Sequence, residues 1–508
     1  MSGGLARAAA AAGMVAWGAA AAGAWLGGCG GHGLRVDSVD PARGTAAGLD
    51  ELVLRGRFSA GAAVDIGGRA AEVLTAADDA LRVRTPAGVA GDADVTVTAP
   101  GGDAVTLPAG FHYDALEGRF DDASAALPAA GVDGVRGRGA VAADLDGDGD
   151  LDVLQAVRGA GVRVLENDGD GAFTDMTPRW MPPATDDTIT VAVGDVDGDG
   201  LADLVTANLG EAGIGAQNRL YLARGLDVSP YFEDVTAAAM PAVAAGSTDV
   251  VLADADADGD VDQIVADWRA GAAADAPRGV SVLVNDGAGT FALGEGAVPA
   301  LDVSAFGLAP ADFDADGDLD VFVAVDGAPC VLLLNDGAGV FSLAPPGWVP
   351  ALSVGAKLAA AGDLDGDGAV DVYVPNAAGV DVLLLNDGSG RLHDFSLELL
   401  PADPNHSEHA ALADLDLDGD LDVVVAKFGE APDALYLNDG SGRMFDYSSR
   451  LAAAGGGTSA AALVADFDAD GTPDVLVSVD GGAGHLYLQQ SPARAGLTGA
   501  VYRNEGGM

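Results

Sequence analysis

The chain has 508 residues, with 78 Asp and Glu against 25 Lys and Arg and a formal net charge of −53. That balance argues against nucleic-acid binding through a basic face. The length suits one large domain and one small one, and with only Cys29 and Cys330 present, a disulfide framework is excluded.

In chain order, residues 1–29 open with one arginine before an Ala-rich run that ends Leu26-Gly27-Gly28-Cys29. This reads as an export signal, not as part of the fold. Leu-x-Gly-Cys resembles a bacterial lipobox, which implies that Cys29 is lipidated and anchors an exported protein in the cell envelope or at the surface of a bacterium. Cys330 opens a buried-looking strand and reads as a small core residue.

Residues 34–113 carry "LVLRGRF" (52–58), "AAVDIGGRAAEVL" (62–74), "LRVRTPAG" (81–88) and "DVTVTAPGG" (94–102), alternating apolar and polar between Gly and Pro. With Gly56-Arg57-Phe58, Ile66-Gly67-Gly68 and Thr85-Pro86-Ala87-Gly88, the segment resembles the immunoglobulin-like IPT/TIG domain. The resemblance implies a β-sandwich that acts as a spacer or presents the larger C-terminal domain.

Residues 118–490 are governed by one repeat. "DLDGDGDLD" (144–152) places Asp144, Asp146, Asp148 and Asp152 at positions one, three, five and nine, with Gly149 at six. Carboxylates this close repel unless a cation lies among them. A hard ion such as calcium takes oxygen ligands, and glycine at six permits the sharp turn. An EF-hand needs glutamate at position twelve and a following helix, whereas Gln155 stands there and an apolar run comes next. The loop therefore closes at Asp152 and leads into a strand.

The pattern recurs at Asp195, Asp197, Asp199 and Asp203; at Asp254, Asp256, Asp258 and Asp262; and at Asp312, Asp314, Asp316 and Asp320. It returns at Asp363, Asp365, Asp367 and Asp371; at Asp414, Asp416, Asp418 and Asp422; and at Asp466, Asp468, Asp470 and Asp474. Seven loops imply up to seven Ca2+, which would offset fourteen of the negative charges; without calcium the fold would suffer carboxylate self-repulsion. A period of 51 to 59 residues indicates a propeller or solenoid array. In each period one apolar strand enters the loop and a second leaves it. A third follows, running into an Asn-Asp-Gly hairpin turn at Asn167, Asn285, Asn335, Asn386 or Asn438 in all but the second and seventh periods, and a fourth comes after it in all but the seventh. Four antiparallel strands per repeat make one propeller blade.

The seventh repeat stops after "GHLYLQQ" (484–490), and a fourth-strand-like segment, "RFDDASAALPAAG" (119–131), precedes the first blade. Residues 118–127 are thus expected to complete blade seven and leave no free edge. Residues 118–490 resemble the FG-GAP/VCBS repeats of integrin α-chains and many bacterial surface proteins. A complete loop in every blade favours the bacterial type. The resemblance implies a calcium-binding propeller that mediates recognition. The expected fold is all-β: a seven-bladed β-propeller preceded by an immunoglobulin-like sandwich, with 491–508 as a tail.

Antiparallel strands put the calcium loops and Asn-Asp-Gly turns on one face. The opposite face should hold the extended loops 208–218 and 267–279, and Trp180, Trp268 and Trp348 are assigned to it as ligand-binding aromatics. The residues offer no catalytic constellation; His406, Glu408 and His409 lie close in sequence but read as a solvated loop. The expected function is calcium-stabilised adhesion to a glycan or a surface protein. A polysaccharide lyase or hydrolase and an envelope assembly scaffold are the alternatives.

Overall fold

The computed structural model describes residues 34–40, 42–45, 51–86, 91–114, 120–128, 139–210, 215–268, 279–429, 431–451, 458–480 and 484–489. The export signal with Cys29, the tail, Ala87-Gly88 and the centres of both extended loops lie outside these residues. The described chain is all-β apart from short helical turns, and it divides into two units.

In the N-terminal unit the strands run in the order Arg35–Asp40, Glu51–Arg57, Ala80–Arg84, Arg69–Ala76, Ala63–Ile66, Gly91–Thr98, Ala104–Asp114. Alternation sends Leu52, Leu54, Val64, Ile66, Leu81, Val83, Val95 and Val97 inward, all at most 3% exposed. The glycines marked in the sequence have concrete tasks. A Cβ on Gly56 would fall 2.0 Å from the Arg35 carbonyl oxygen, and Gly67 and Gly68 turn a hairpin at φ 61° and 83°.

The second unit holds seven blades, each an antiparallel sheet; in the first six the strands follow chain order. Blade one comprises Ala140–Ala143, Asp152–Val157, Gly161–Asn167 and Phe173–Asp175. The second strand of each blade is buried on both faces, which is why it reads as an unbroken apolar run such as "VVVA" (423–426) rather than an alternating one. The outer strand is three residues long and buries only its first side chain, as in Phe291–Leu293. The core lies between blades: Leu415, Val424 and Leu435 pack with Val475, Val477 and Tyr487 of the next blade.

Ring closure occurs as the sequence predicts. Phe120–Asp122 adds as the fourth strand of blade seven, antiparallel to His485–Gln489, pairing Phe120 with Gln489 and Asp122 with Tyr487. Phe120 is 5% exposed and packs among Leu451, Val475 and Tyr487.

Candidate metal centres

Each acidic loop joins the first strand of its blade to the second. Position six is a glycine at φ between 85° and 105° in all seven loops. Its N–H donates to the position-one carboxylate, as from Gly149 to Asp144 and from Gly419 to Asp414, at 3.1 and 3.0 Å. Position four is also left-handed. Gly147, Gly198 and Gly366 suit it, but Ala257, Ala315, Leu417 and Ala469 adopt φ between 52° and 60° there, a strained choice for an L-residue.

The turn brings carboxylate oxygens together. Asp144, Asp146 and Asp148 each offer one within 4.8 Å of the others, as do Asp195, Asp197 and Asp199, and Asp312, Asp314 and Asp316. In two further loops position nine joins instead, in the groups Asp254, Asp256, Asp262 and Asp363, Asp365, Asp371.

Position nine has a second role. From Asp152 to Asp474 these side chains are at most 1% exposed. One oxygen accepts the N–H of loop position two, as Asp320 does from Phe313 at 3.1 Å. The other accepts the N–H of the residue ending the third strand, as Asp320 does from Asn335 at 2.9 Å. Burial raises these carboxyls well above the usual range: Asp203 and Asp320 to about 6, Asp152 and Asp371 to about 7, Asp422 and Asp474 to about 8. Burial, followed by the Asp418 charge, also raises Asp416 to about 7.

The donor set fits a hard divalent cation. Buried oxygens of Asp256, Asp314, Asp414 and Asp416 have no hydrogen-bond partner, although buried polar atoms are normally satisfied. All lie at positions one or three, where ligands are expected. Calcium there would offset the repulsion that the crowded carboxylates and their burial create.

The tryptophans are not gathered on one face. Trp180 is 2% exposed, with its ring 5.4 Å from that of Tyr231. Trp348 is half-buried; its carbonyl accepts the N–H of Leu392, and its ring lies where a Cβ on Gly390 would fall. Tyr231 and Gly390 belong to hairpins on the acidic-loop side. The outer strands are so short that the chain, turning after three residues, meets the next blade's hairpin before it crosses the ring. Trp268, half-buried after a second strand, stands at the opposite end. The His pair is not a loop site either. His409 lies in the strand Ser407–Ala413, buried and lowered to about 4, and accepts the Ala462 N–H, while His406 pairs with Glu408 at 2.8 Å.

Sequence reasoning missed two features. One is the amide chemistry of Asn167, Asn285, Asn335, Asn386 and Asn438, read only as turn formers. The other is a cavity of about 640 Å³ at the opposite end, lined by Arg158, Gly159, Thr185, Asp186, Asp187 and neighbouring glycines. There Arg158 donates twice to Asp187, both at 2.7 Å, and Arg219 donates to Asp186 at 3.0 Å. No sequence motif marks it, because its residues come from three separate loops.

Fold and sites together define an all-β protein whose seven-bladed propeller carries an acidic loop in every blade. The profile of the FG-GAP-like repeat matches residues 144–206, 312–374, 363–425 and 414–477, and that of the IPT/TIG domain matches 34–113. The third loop, Asp254–Asp262, lies outside the matched segments yet has the same geometry. No curated protein matches the chain. Among solved structures, a Bacteroides thetaiotaomicron protein of unknown function is 11% identical over 90% of this chain and 98% of its own, with a TM-score of 0.45. An auxiliary nutrient binding protein from Bacteroides ovatus is 12% identical over 90% and 98%, at 0.36. BBS1N, solved in complex with ARL6DN, is 11% identical over 73% and 98%, at 0.46.

Proposed function

We propose that this is a calcium-stabilised binding or adhesion protein, exported and held in a bacterial envelope or cell surface by a lipid on Cys29. It takes a glycan or surface-protein ligand through the propeller end opposite the metal loops. The observation that carries the reading is the cavity at that end beside Arg158 and Asp187. An ion pair of guanidinium and carboxylate on a wall of small residues offers donors and acceptors side by side without net charge. That suits hydroxyl-rich ligands. The loop carboxylates at the other end are occupied in holding the blades. Trp180 and Trp348 take no part in binding on this reading, and Trp268 remains at the proposed end.

The test is retention of the protein, from Gly30 onward, on an array of bacterial and algal polysaccharides in calcium and in chelator, with released oligosaccharide assayed. Calcium-dependent retention without products supports the binding reading, and loss of retention in Arg158→Ala places it at the cavity. Released products would establish a polysaccharide-active enzyme instead. Absence of retention by folded protein would leave protein partners, including an assembly scaffold, as the ligand class.

A further inference from the structure

In six of the seven blades the residue ending the third strand reaches across a blade boundary. Asn335 of blade four donates its side-chain amide to the carbonyl of Ala255, position two of the blade-three loop, at 2.8 Å. The same amide donates to Leu319, position eight of its own loop, at 3.2 Å. Two donors on one nitrogen are needed, which Asn supplies and Asp cannot. Asn167 closes the ring in the same way, on the carbonyl of Phe467 in blade seven at 2.9 Å.

Two blades lack the asparagine, and both replace its donor. In blade seven Gln489 donates to Leu415 at 2.7 Å. In blade two, where the third strand ends in Ala223, the Tyr231 hydroxyl donates to Leu145 at 2.8 Å. Every one of the seven boundaries carries such a bond. Preservation of the bond through three different side chains indicates that the bond, not the turn, is what these positions supply.

A second contact runs the same way. The later glycine of the hairpin lies against the position-three aspartate of the preceding loop. A Cβ on Gly339 would sit 3.0 Å from that of Asp256, and one on Gly390 3.0 Å from that of Asp314. Asp256 and Asp314 are among the residues with an unsatisfied buried oxygen.

We propose that the hairpin between the third and fourth strands of each blade positions the metal loop of the blade before it, so that a loop's calcium affinity is set across the blade boundary. Asn335 is a positioning residue for the loop 254–262 first, through the shorter bond to Ala255, and for the loop 312–320 of its own blade only through the longer bond to Leu319. The inference rests on the reading of these loops as calcium sites. Partners that orient metal ligands without touching the ion typically change affinity by about tenfold or more when removed.

Hydrogen exchange measured by mass spectrometry across a calcium titration resolves the two loops. In Asn335→Ala, protection of 254–262 should require about tenfold more calcium than in the unaltered protein, while 312–320, which loses only the longer bond to Leu319, shifts clearly less. Asn335→Gln should restore most of the affinity, since Gln489 performs the task in blade seven. In chelator, exchange at 254–262 should already be faster in Asn335→Ala. Affinity lost at 312–320 alone, or equally at both loops, overturns the proposal. Absence of any calcium response in the unaltered protein would refute the calcium reading instead, while the chelator comparison still decides the cross-blade contact. Should Asn335→Ala fail to fold, Asn285→Ala, read at 195–203 against 254–262, makes the same test at another boundary.

Discussion

The hydroxyl of Tyr231 donates to the carbonyl of Leu145 at 2.8 Å, joining blade two to the acidic loop of blade one where no third-strand amide is present. Tyr231 is 1% exposed, between Trp180 and Phe232. Tyr231→Phe keeps the ring packing and leaves a buried carbonyl without this donor, a loss of about 1–3 kcal/mol. Urea unfolding should show a lower midpoint at unchanged slope. An unaltered midpoint would mean that water replaces the hydroxyl.

Ring closure makes a separable prediction. Phe120 is 5% exposed in the closing strand, whereas Phe445, in the outer strand of blade six, is 46% exposed. Phe120→Ala should cost about 3–5 kcal/mol, and Phe445→Ala no more than about 0.5 kcal/mol. Thermal melts of the two variants side by side check it.

Positions five and nine of a loop should part company when metal is removed. Asp320 accepts two backbone N–H groups in the core, while Asp316 is exposed in the same loop. In chelator, Asp320→Asn should destabilise by about 1–3 kcal/mol by turning a donor toward donors; Asp316→Asn should not destabilise, because it removes a like charge. In calcium, both should lower the melting temperature gain. Equal behaviour of the two in chelator would contradict the dual role assigned to position nine.

Burial raises Asp152 and Asp371 to about 7 and Asp422 and Asp474 to about 8 in the metal-free fold. A carboxyl whose folded pKa exceeds its unfolded value favours folding when protonated, and that contribution is lost as pH rises through the folded value. The melting temperature in chelator should therefore fall between about pH 4 and pH 8. In excess calcium the carboxylates stay ionised on the metal, and the trend should flatten or reverse toward acid. Parallel curves with and without calcium would contradict the assignment.

Much of the propeller was legible in the sequence because the repeat is written in residues with few alternatives. Position six needs a glycine at φ of 85° or more, and the four aspartates keep fixed spacing in every period. The closing strand was legible from the missing fourth strand of repeat seven. The tryptophan face was not, because nothing in the sequence says that Thr177–Trp180 forms a helical turn that packs Trp180 back against Tyr231. The cross-blade amide bonds were hidden for a different reason. Asparagine in an Asn-Asp-Gly turn already has a local explanation, and its second donor finds an acceptor 80 residues away in the case of Asn335 and Ala255.

Calcium counting on the folded protein tests the central claim most directly. Native mass spectrometry of the chain from Gly30 onward, titrated with calcium and paired with a melting curve at each step, should show several bound ions, up to the seven loops present, and a melting temperature that climbs with occupancy. A protein that binds no calcium at millimolar concentration and melts at the same temperature in chelator would contradict the account.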